Sequence, residues 1–147
     1  PPSAGFVGHA HAGTLAFEMS VGPDRLFVNC GAYAGPKTGW RAAQRATAAH
    51  STVSIEDRNS SEVLPGGNLR RRVQSVGRAR NENEHGMWLD LDHDGYRAAF
   101  GITHHRRLFL AHDGRDLRGE DRFSGGSAER RFAVRFHLHP KVRVGLI

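Results

Sequence analysis

The chain has 147 residues, of which 38% are hydrophobic, and a formal net charge of +6 at neutral pH. This length suffices for one domain with a hydrophobic core, and no run approaches the ~18 apolar residues that a membrane-spanning helix needs. The single cysteine, Cys30, excludes an intramolecular disulfide and any zinc site built from two or more thiolates. Because the first residue is Pro1 and no signal peptide is recognisable, we expect a processed or excerpted piece of a longer protein.

The first third of the chain alternates apolar and polar residues, which is the period of a β-strand. This alternation predicts strands over residues 15–21, 25–30 and 51–55, and Gly22–Asp24 forms a turn between the first two. Leu26 to Val28, Val53 and Ile55 are expected to be buried. Residues 40–50 have the composition of a short helix, and Cys30 is expected to be a buried, inert thiol.

The rest of the chain continues as short strands separated by turns. Strands are predicted over residues 72–80, 87–92, 96–103, 107–112 and 132–138, with one more between Gly114 and Asp121. A turn every ~8–12 residues is typical of sandwiches and barrels. We therefore predict a single all-β domain over residues 1–147, folded as an antiparallel β-sandwich. Arginine and histidine lie mostly on the polar side of the alternation, which predicts that one sheet face is strongly basic.

The positive charge favours a polyanionic partner. Arginine dominates it, and the planar guanidinium binds carboxylate, sulfate and phosphate alike. Nucleic acid is the less favoured partner, because aromatic residues are few and do not alternate with the basic runs as they do in stacking platforms. An acidic polysaccharide fits the same charge, and a solvated basic surface is the alternative.

Ten histidines are many for this length, and two of them form a His-x-His pair. In an extended strand, His9 and His11 would place both imidazoles on one face, where they could share a metal or divide between metal and substrate. A solvated strand face is the alternative. A cupin metal site is disfavoured, because Glu18 follows His11 too late and the matching glycine is missing. A serine hydrolase is disfavoured because no Gly-x-Ser-x-Gly elbow is present.

Three linked blocks carry a more specific signal than this pair alone. They read Gly8-His-Ala-His-Ala-Gly-Thr-Leu-Ala-Phe-Glu18, Arg25-Leu-Phe-Val-Asn-Cys-Gly-Ala-Tyr33 and Arg45-Ala-Thr-Ala-Ala-His-Ser-Thr-Val53. In order and spacing they resemble the heparinase II/III family of polysaccharide lyases. The family pattern is approximately Gly-His-x-His-x-Asp-x-Leu-x-Phe-x-Leu, then Asp-x-Gly-x-Tyr, then Arg-x-Thr-x-x-His-Asn-Thr-Val. The likeness is detailed over residues 5–53 and looser from there to the end.

This resemblance implies an enzyme in which an N-terminal α/α toroid packs on a C-terminal β-sandwich, with the sugar between them. The chain resembles only the sandwich. The implied reaction is β-elimination in a polysaccharide that contains uronic acid. A base removes the C5 proton, fixed positive groups neutralise the carboxylate, and the oxygen at C4 leaves. Because residues that act on the sugar come largely from the toroid, we expect the chain alone to be inactive.

The resemblance also implies roles for particular residues. His9 matches the histidine that faces the sugar and takes part in proton transfer. His11, Asn29 and His50 match the ligands of a structural zinc. Asn29 departs from the family's Asp, and a neutral amide oxygen is the poorer zinc ligand. Gly13 also departs from an Asp.

Three further residues are candidate contacts for the polysaccharide. Arg41 and Arg45 precede His50 and suit a carboxylate or sulfate, whereas Tyr33 suits packing or stacking on a sugar ring. A second basic cluster covers residues 104–107. The alternative function is a non-catalytic module that binds acidic polysaccharide and carries structural zinc. The particular polysaccharide, self-association into a homo-oligomer, and a periplasmic or cytoplasmic location in a bacterium are left open.

Overall fold

The computed structural model describes residues 9–64 and 68–145, and strands dominate them. The strands are β1 (Met19–Val21), β2 (Asp24–Val28), β3 (Val53–Ile55), β4 (Val76–Asn83), β5 (Gly86–Tyr96), β6 (Ile102–Ala111), β7 (Leu117–Gly125), β8 (Phe132–Val134) and β9 (His137–Leu138). The helices are α1 (Thr38–Arg45), a 3-10 turn at Thr47–Ala49, and α2 (Arg97–Phe100). Neither helix is long and apolar enough to cross a membrane.

The strands form two layers. One layer is a four-stranded sheet in the order β4-β5-β6-β7, and the other combines a three-stranded sheet, β1-β2-β9, with the pair β3-β8. All strand pairs are antiparallel. The segment that contains β8 and β9 pairs first with β3 and then with β2, so it joins the two parts of the second layer. The predicted all-β, antiparallel sandwich is confirmed.

A small apolar core lies between the layers. Val53, Ile55, Tyr96 and Ile102 are buried there, and Phe100 and Phe123 pack against them. Burial of such a side chain contributes roughly 1.5–3 kcal/mol. The Tyr96 hydroxyl donates a hydrogen bond of 2.7 Å to the Val53 carbonyl, which ties the end of β5 to β3. The prediction that Val53 and Ile55 face inward is confirmed.

A buried polar network continues this core. The Arg106 side chain is 1% exposed and donates to both carboxylate oxygens of Asp121, at 2.8 and 2.9 Å. It also donates to the backbone carbonyls of Leu15 (3.0 Å) and Ser51 (2.8 Å) in the facing layer. His93 and His104 are equally buried beside it. The basic sheet face therefore does not include these three residues, and hydrogen bonds compensate their burial.

Two predicted strands have different boundaries in the structure. Residues 96–103 are not one strand, because α2 follows Tyr96 and Gly101 ends that helix in the left-handed conformation (φ 71°) before β6 begins. The first strand begins at Met19 rather than Leu15, because Leu15 itself has a positive φ of 59°, which breaks the extended backbone.

Two burial predictions are also wrong. Cys30 is exposed, because its strand ends two residues earlier and the chain turns outward. Leu26 to Val28 are only half-buried. Along residues 132–138 the apolar side chains are the exposed ones, at 37–58% (Phe132, Val134, Phe136, Leu138). Their polar neighbours face protein, since Arg135 donates to Ser54 Oγ at 2.6 Å and His137 contacts the Ala48 carbonyl at 2.9 Å.

Candidate saccharide cleft and histidine cluster

The segment around His9 and His11 is held by the end of α1 and the turn that follows it. The Ala12 N–H donates to the Arg45 carbonyl (2.9 Å), and the Ala12 carbonyl accepts from the Thr47 hydroxyl at 2.6 Å. Arg45 Nε donates to the Ala10 carbonyl at 2.7 Å. These bonds hold the segment outside any strand, so the predicted common strand face of the two histidines is wrong. His9 is exposed and His11 is half-buried.

His11 pairs with His50, and the two are 39 residues apart in the sequence. His11 Nδ1 and His50 Nε2 lie 3.2 Å apart. Burial, and then the neighbouring His11 and His137, lower the pKa of His50 to about 4, while Glu18 opposes them. Burial and the charge of Arg45 lower the pKa of His11 as well. Both rings are therefore neutral at pH 7, which leaves nitrogen lone pairs available to a metal.

Gly13 lies against the His50 ring. A Cβ at this position would approach His50 Cγ to 2.7 Å, which is closer than real Cβ contacts allow. The ring thus fills the space that a side chain at position 13 would need. Glycine at position 13 therefore leaves room for the His50 ring.

Asn29 is held between a carboxylate and a backbone amide. Its Nδ2 and its backbone N–H both donate to Glu18 Oε1, at 3.2 and 3.1 Å, and its Oδ1 accepts from the Ser51 N–H at 2.9 Å. An Asp at this position would place two carboxylates together. The amide is therefore the residue that suits Glu18, a partner that the sequence reasoning missed although Glu18 lies opposite Asn29 across the β1–β2 hairpin.

The three predicted zinc ligands fit a zinc ion only in part. His11, Asn29 and His50 all line one cleft of about 560 Å³. Two nitrogens 3.2 Å apart suit either a hydrogen bond or two ligands of one zinc, which binds nitrogen at about 2.0–2.1 Å. Asn29 fits poorly, since its oxygen already accepts a hydrogen bond. Within residues 9–64 and 68–145, no group of three His, Cys, Asp or Glu side chains could hold a metal.

A second cleft, of about 320 Å³, adjoins the first and brings together every predicted saccharide contact. Its lining residues are His9, His11, Ala32, Tyr33, Ala34, Arg41 and Arg45. Arg41 and Arg45 are one helical turn apart on α1, so their side chains lie on the same face. Arg41 is exposed, whereas Arg45 is 3% exposed and supports the backbone of Ala10. Burial, and then the charge of Arg41, lower the pKa of Arg45.

The family described as "Heparinase II/III-like, C-terminal" matches residues 1–147. The chain belongs to this family. FtsZ-localized protein C of Caulobacter vibrioides is 36% identical to it over an alignment 163 residues long. The alignment covers 99% of this chain and 28% of that protein. No solved structure matches the chain.

Within the heparinase II/III-like C-terminal family, the two clefts can be compared with the residues that the three sequence blocks singled out. The chain spans about 28% of the length of the curated relative that it matches. The structure brings His11, Asn29 and His50 to one cleft and His9, Tyr33, Arg41 and Arg45 to the next, and His11 lines both. The second basic cluster is not part of this site, because His104 and Arg106 are buried and Arg107 pairs with Asp90 on the outer face.

Proposed function

We propose that this chain forms the sandwich wall of a cleft that binds a uronate-containing polysaccharide. The cleft that gathers His9, Tyr33, Arg41 and Arg45 carries this proposal. Arg41 lies close enough to lower the pKa of Arg45, so positive charge is concentrated at this cleft, and the exposed Arg41 side chain can bind an anion there. A uronate carboxylate or a sulfate group supplies that charge.

Four of the lining residues have a role in this proposal. Arg41 is exposed and binds the carboxylate, while Arg45 positions the loop at Ala10 that carries His9 and His11 and adds positive charge from below. Tyr33 offers a ring to the sugar. His9 is exposed beside them and transfers a proton during β-elimination. Positive charge next to the carboxylate stabilises the second negative charge that develops after C5 loses its proton.

Catalysis needs residues from the other side of the cleft as well. We therefore propose that the chain alone binds the polysaccharide but does not cleave it. The lyase activity would belong to a longer protein whose toroid closes the cleft. Incubation of the purified chain with heparan sulfate or alginate should release no unsaturated uronate, which absorbs in the ultraviolet. Release of that product by the chain alone would show that its own residues suffice.

Binding is tested by calorimetry with uronate oligosaccharides. Arg41→Gln should weaken binding by about tenfold or more, because a charge-assisted contact is lost. Arg122→Gln, an exposed arginine on the outer face of β7, is the matched control and should leave the affinity unchanged. Equal loss in both variants would indicate general charge attraction. Tighter binding of DNA than of oligosaccharide at the same salt concentration would favour the nucleic-acid alternative.

We propose, separately, that His11 and His50 bind zinc weakly, with Asn29 as a poor third ligand. Metal content and calorimetric zinc affinity test this without any activity assay. His11→Ala should abolish binding. Asn29→Asp combined with Glu18→Gln should strengthen it by about tenfold or more, because a carboxylate replaces an amide and its repulsive neighbour is removed. Zinc retained by His11→Ala would place the metal elsewhere.

A second candidate function is a non-catalytic recognition module in a protein that localises with FtsZ. The similarity to FtsZ-localized protein C along 99% of the chain favours it. Cosedimentation of the chain with FtsZ polymers tests it directly. Arg41→Gln should reduce oligosaccharide binding and leave any cosedimentation unchanged, so the two functions are separable.

A further inference from the structure

The segment Phe132–Leu138 forms an open edge of the sandwich, here called the 132–138 edge. On one side it pairs with β3 and β2. On the other side, no strand within the described part of the chain pairs with it. An unpaired strand edge offers a row of backbone donors and acceptors to another strand.

The hydrogen-bond pattern shows which residues face the open side. The Arg135 N–H donates to the Thr52 carbonyl (3.0 Å), the Arg131 carbonyl accepts from the Glu56 N–H (2.9 Å), and the His139 N–H donates to the Leu26 carbonyl (2.9 Å). Because successive residues of a strand direct their N–H and C=O groups to opposite sides, the even-numbered residues direct theirs to the open side.

The same even-numbered residues carry exposed apolar side chains. Phe132 is 58% exposed, Phe136 49%, Leu138 38% and Val134 37%. The face they share is the core face of this layer, since Val134 and Phe132 pair directly with the buried Val53 and Ile55. Charged side chains along an edge strand discourage other chains from pairing with it. A contiguous exposed apolar row does the opposite and indicates a surface that is covered in use.

Charge identifies the kind of segment that covers it. Arg130 and Arg131 precede the edge and Lys141 and Arg143 follow it, and all four are exposed. Arg131 has one acidic neighbour, Glu56, at 3.7 Å. A second copy of this chain, paired antiparallel about Arg135, would bring Glu129 opposite Lys141, but the flank of Glu129, Arg130 and Arg131 and the flank of Lys141 and Arg143 that faces it both carry net positive charge. This repulsion disfavours self-association and favours a partner with acidic ends.

We propose that the 132–138 edge binds an extended segment of another polypeptide by adding it as a further strand. That segment has apolar residues at alternate positions, which cover the exposed row, and acidic residues at each end, which meet the flanking cations. Main-chain hydrogen bonds give affinity in this mode of recognition, and alternate side chains give specificity. The surface is distinct from the saccharide cleft, with which it shares no lining residue.

The test uses a short peptide of alternating valine and threonine with two glutamates at each end, and a second peptide with lysines at the ends. Fluorescence anisotropy should show binding of the acidic peptide, and binding of the lysine peptide weaker by about tenfold or more. Val134→Pro should abolish binding, because it removes an outward N–H while leaving the bonds to β3 intact. Trp40→Ser, which removes an apolar side chain that is 60% exposed elsewhere, is the matched control and should bind normally.

A second variant keeps the proposal testable if Val134→Pro does not fold. Phe132→Ser with Phe136→Ser removes two exposed rings without changing the backbone, and should also weaken binding by about tenfold or more. Equal binding of both peptides, or undiminished binding by a folded edge variant, would overturn the proposal. A dimer in solution that Val134→Pro dissociates would overturn it in favour of a second copy as the occupant.

Discussion

Two histidine pairs in this domain have nearly the same distance between their ring nitrogens and different surroundings. His11 and His50 approach to 3.2 Å beside an open cleft, and His93 and His104 approach to 3.0 Å in the interior. The Gly95 N–H donates to His93 Nδ1, so His93 Nε2 donates to His104, and His104 Nε2 then donates to Asp121 at 2.7 Å. The interior pair is thus completed by protein groups, whereas the cleft pair still faces space that a ligand can enter.

The difference teaches that neighbours, rather than the pair itself, decide what two histidines do. In the interior, hydrogen bonds from His104 and Arg106 outweigh burial and lower the pKa of Asp121 to about 2. A satisfied buried network fixes one arrangement of the two layers. In the cleft no carboxylate bonds directly to His11 or His50 in the described structure, and Glu18 bonds to Asn29 instead.

The largest expected effect comes from breaking the interior pair. Asp121→Asn leaves the buried Arg106 without its counter-charge and should lower the free energy of unfolding by roughly 3–5 kcal/mol. Urea denaturation measures this. Asp90→Asn, which breaks the exposed ion pair with Arg107, is the control and should cost about 1 kcal/mol or less. Similar losses in the two variants would show that the interior network is not a stabilising unit.

Lowering the pH should destabilise the fold through both histidine pairs, because one histidine of each pair has a strongly lowered pKa. Burial, and then His104, lower the pKa of His93 to about 3, and that of His50 is about 4, against 6.5 for the unfolded chain. As the pH falls below 6.5, these two histidines therefore become protonated in the unfolded chain before they do so in the folded chain. Stability should fall by roughly 1.4 kcal/mol per pH unit for each histidine, down to about pH 4 for His50 and about pH 3 for His93.

Urea denaturation at pH 7, 6 and 5 checks this acid sensitivity. His50→Gln should remove at most about half of the slope between pH 6 and 5 and leave the contributions of His93 and His11. A variant with the full slope would show that His50 is not protected from protonation in the folded chain.

A smaller effect is expected at Gly13. Gly13→Ala places a Cβ 2.7 Å from the His50 ring, so the ring must shift and the chain should lose roughly 1–3 kcal/mol of stability. The shift should also separate His50 from His11 and reduce zinc affinity. Gly39→Ala is a useful control, since nothing lies within 4 Å of the added Cβ. Unchanged zinc binding and stability in Gly13→Ala would mean that the cleft pair tolerates repacking.

Much of this arrangement could be predicted from the sequence, and the failures have physical causes. The alternation around Val53 and Ile55 indicated a strand with a buried face, and the three linked blocks indicated which distant residues share a site. Periodicity could not show that Leu15 adopts a positive φ, or that hydrogen bonds to Arg45 and Thr47 hold His9 and His11 outside any strand. It also could not show which side of residues 132–138 is covered, because that depends on neighbouring layers.

Polar partners were the hardest to foresee. Arg106 appeared to be one cation of an exposed basic cluster, yet it reaches two backbone carbonyls and Asp121 across the interior. Glu18 appeared only as a residue between two family positions, yet it bonds to Asn29 and explains the amide there. Long side chains that satisfy distant backbone groups leave no periodic signal in the sequence.

The most direct test of the saccharide cleft is a backbone and histidine NMR titration of the chain with a uronate oligosaccharide. The account predicts chemical-shift changes that concentrate at His9, Tyr33 and Arg41 and saturate with a single affinity, while the outer face of the four-stranded sheet around Arg122 is unaffected. Shifts confined to the outer face, or spread evenly over the exposed arginines, would contradict it.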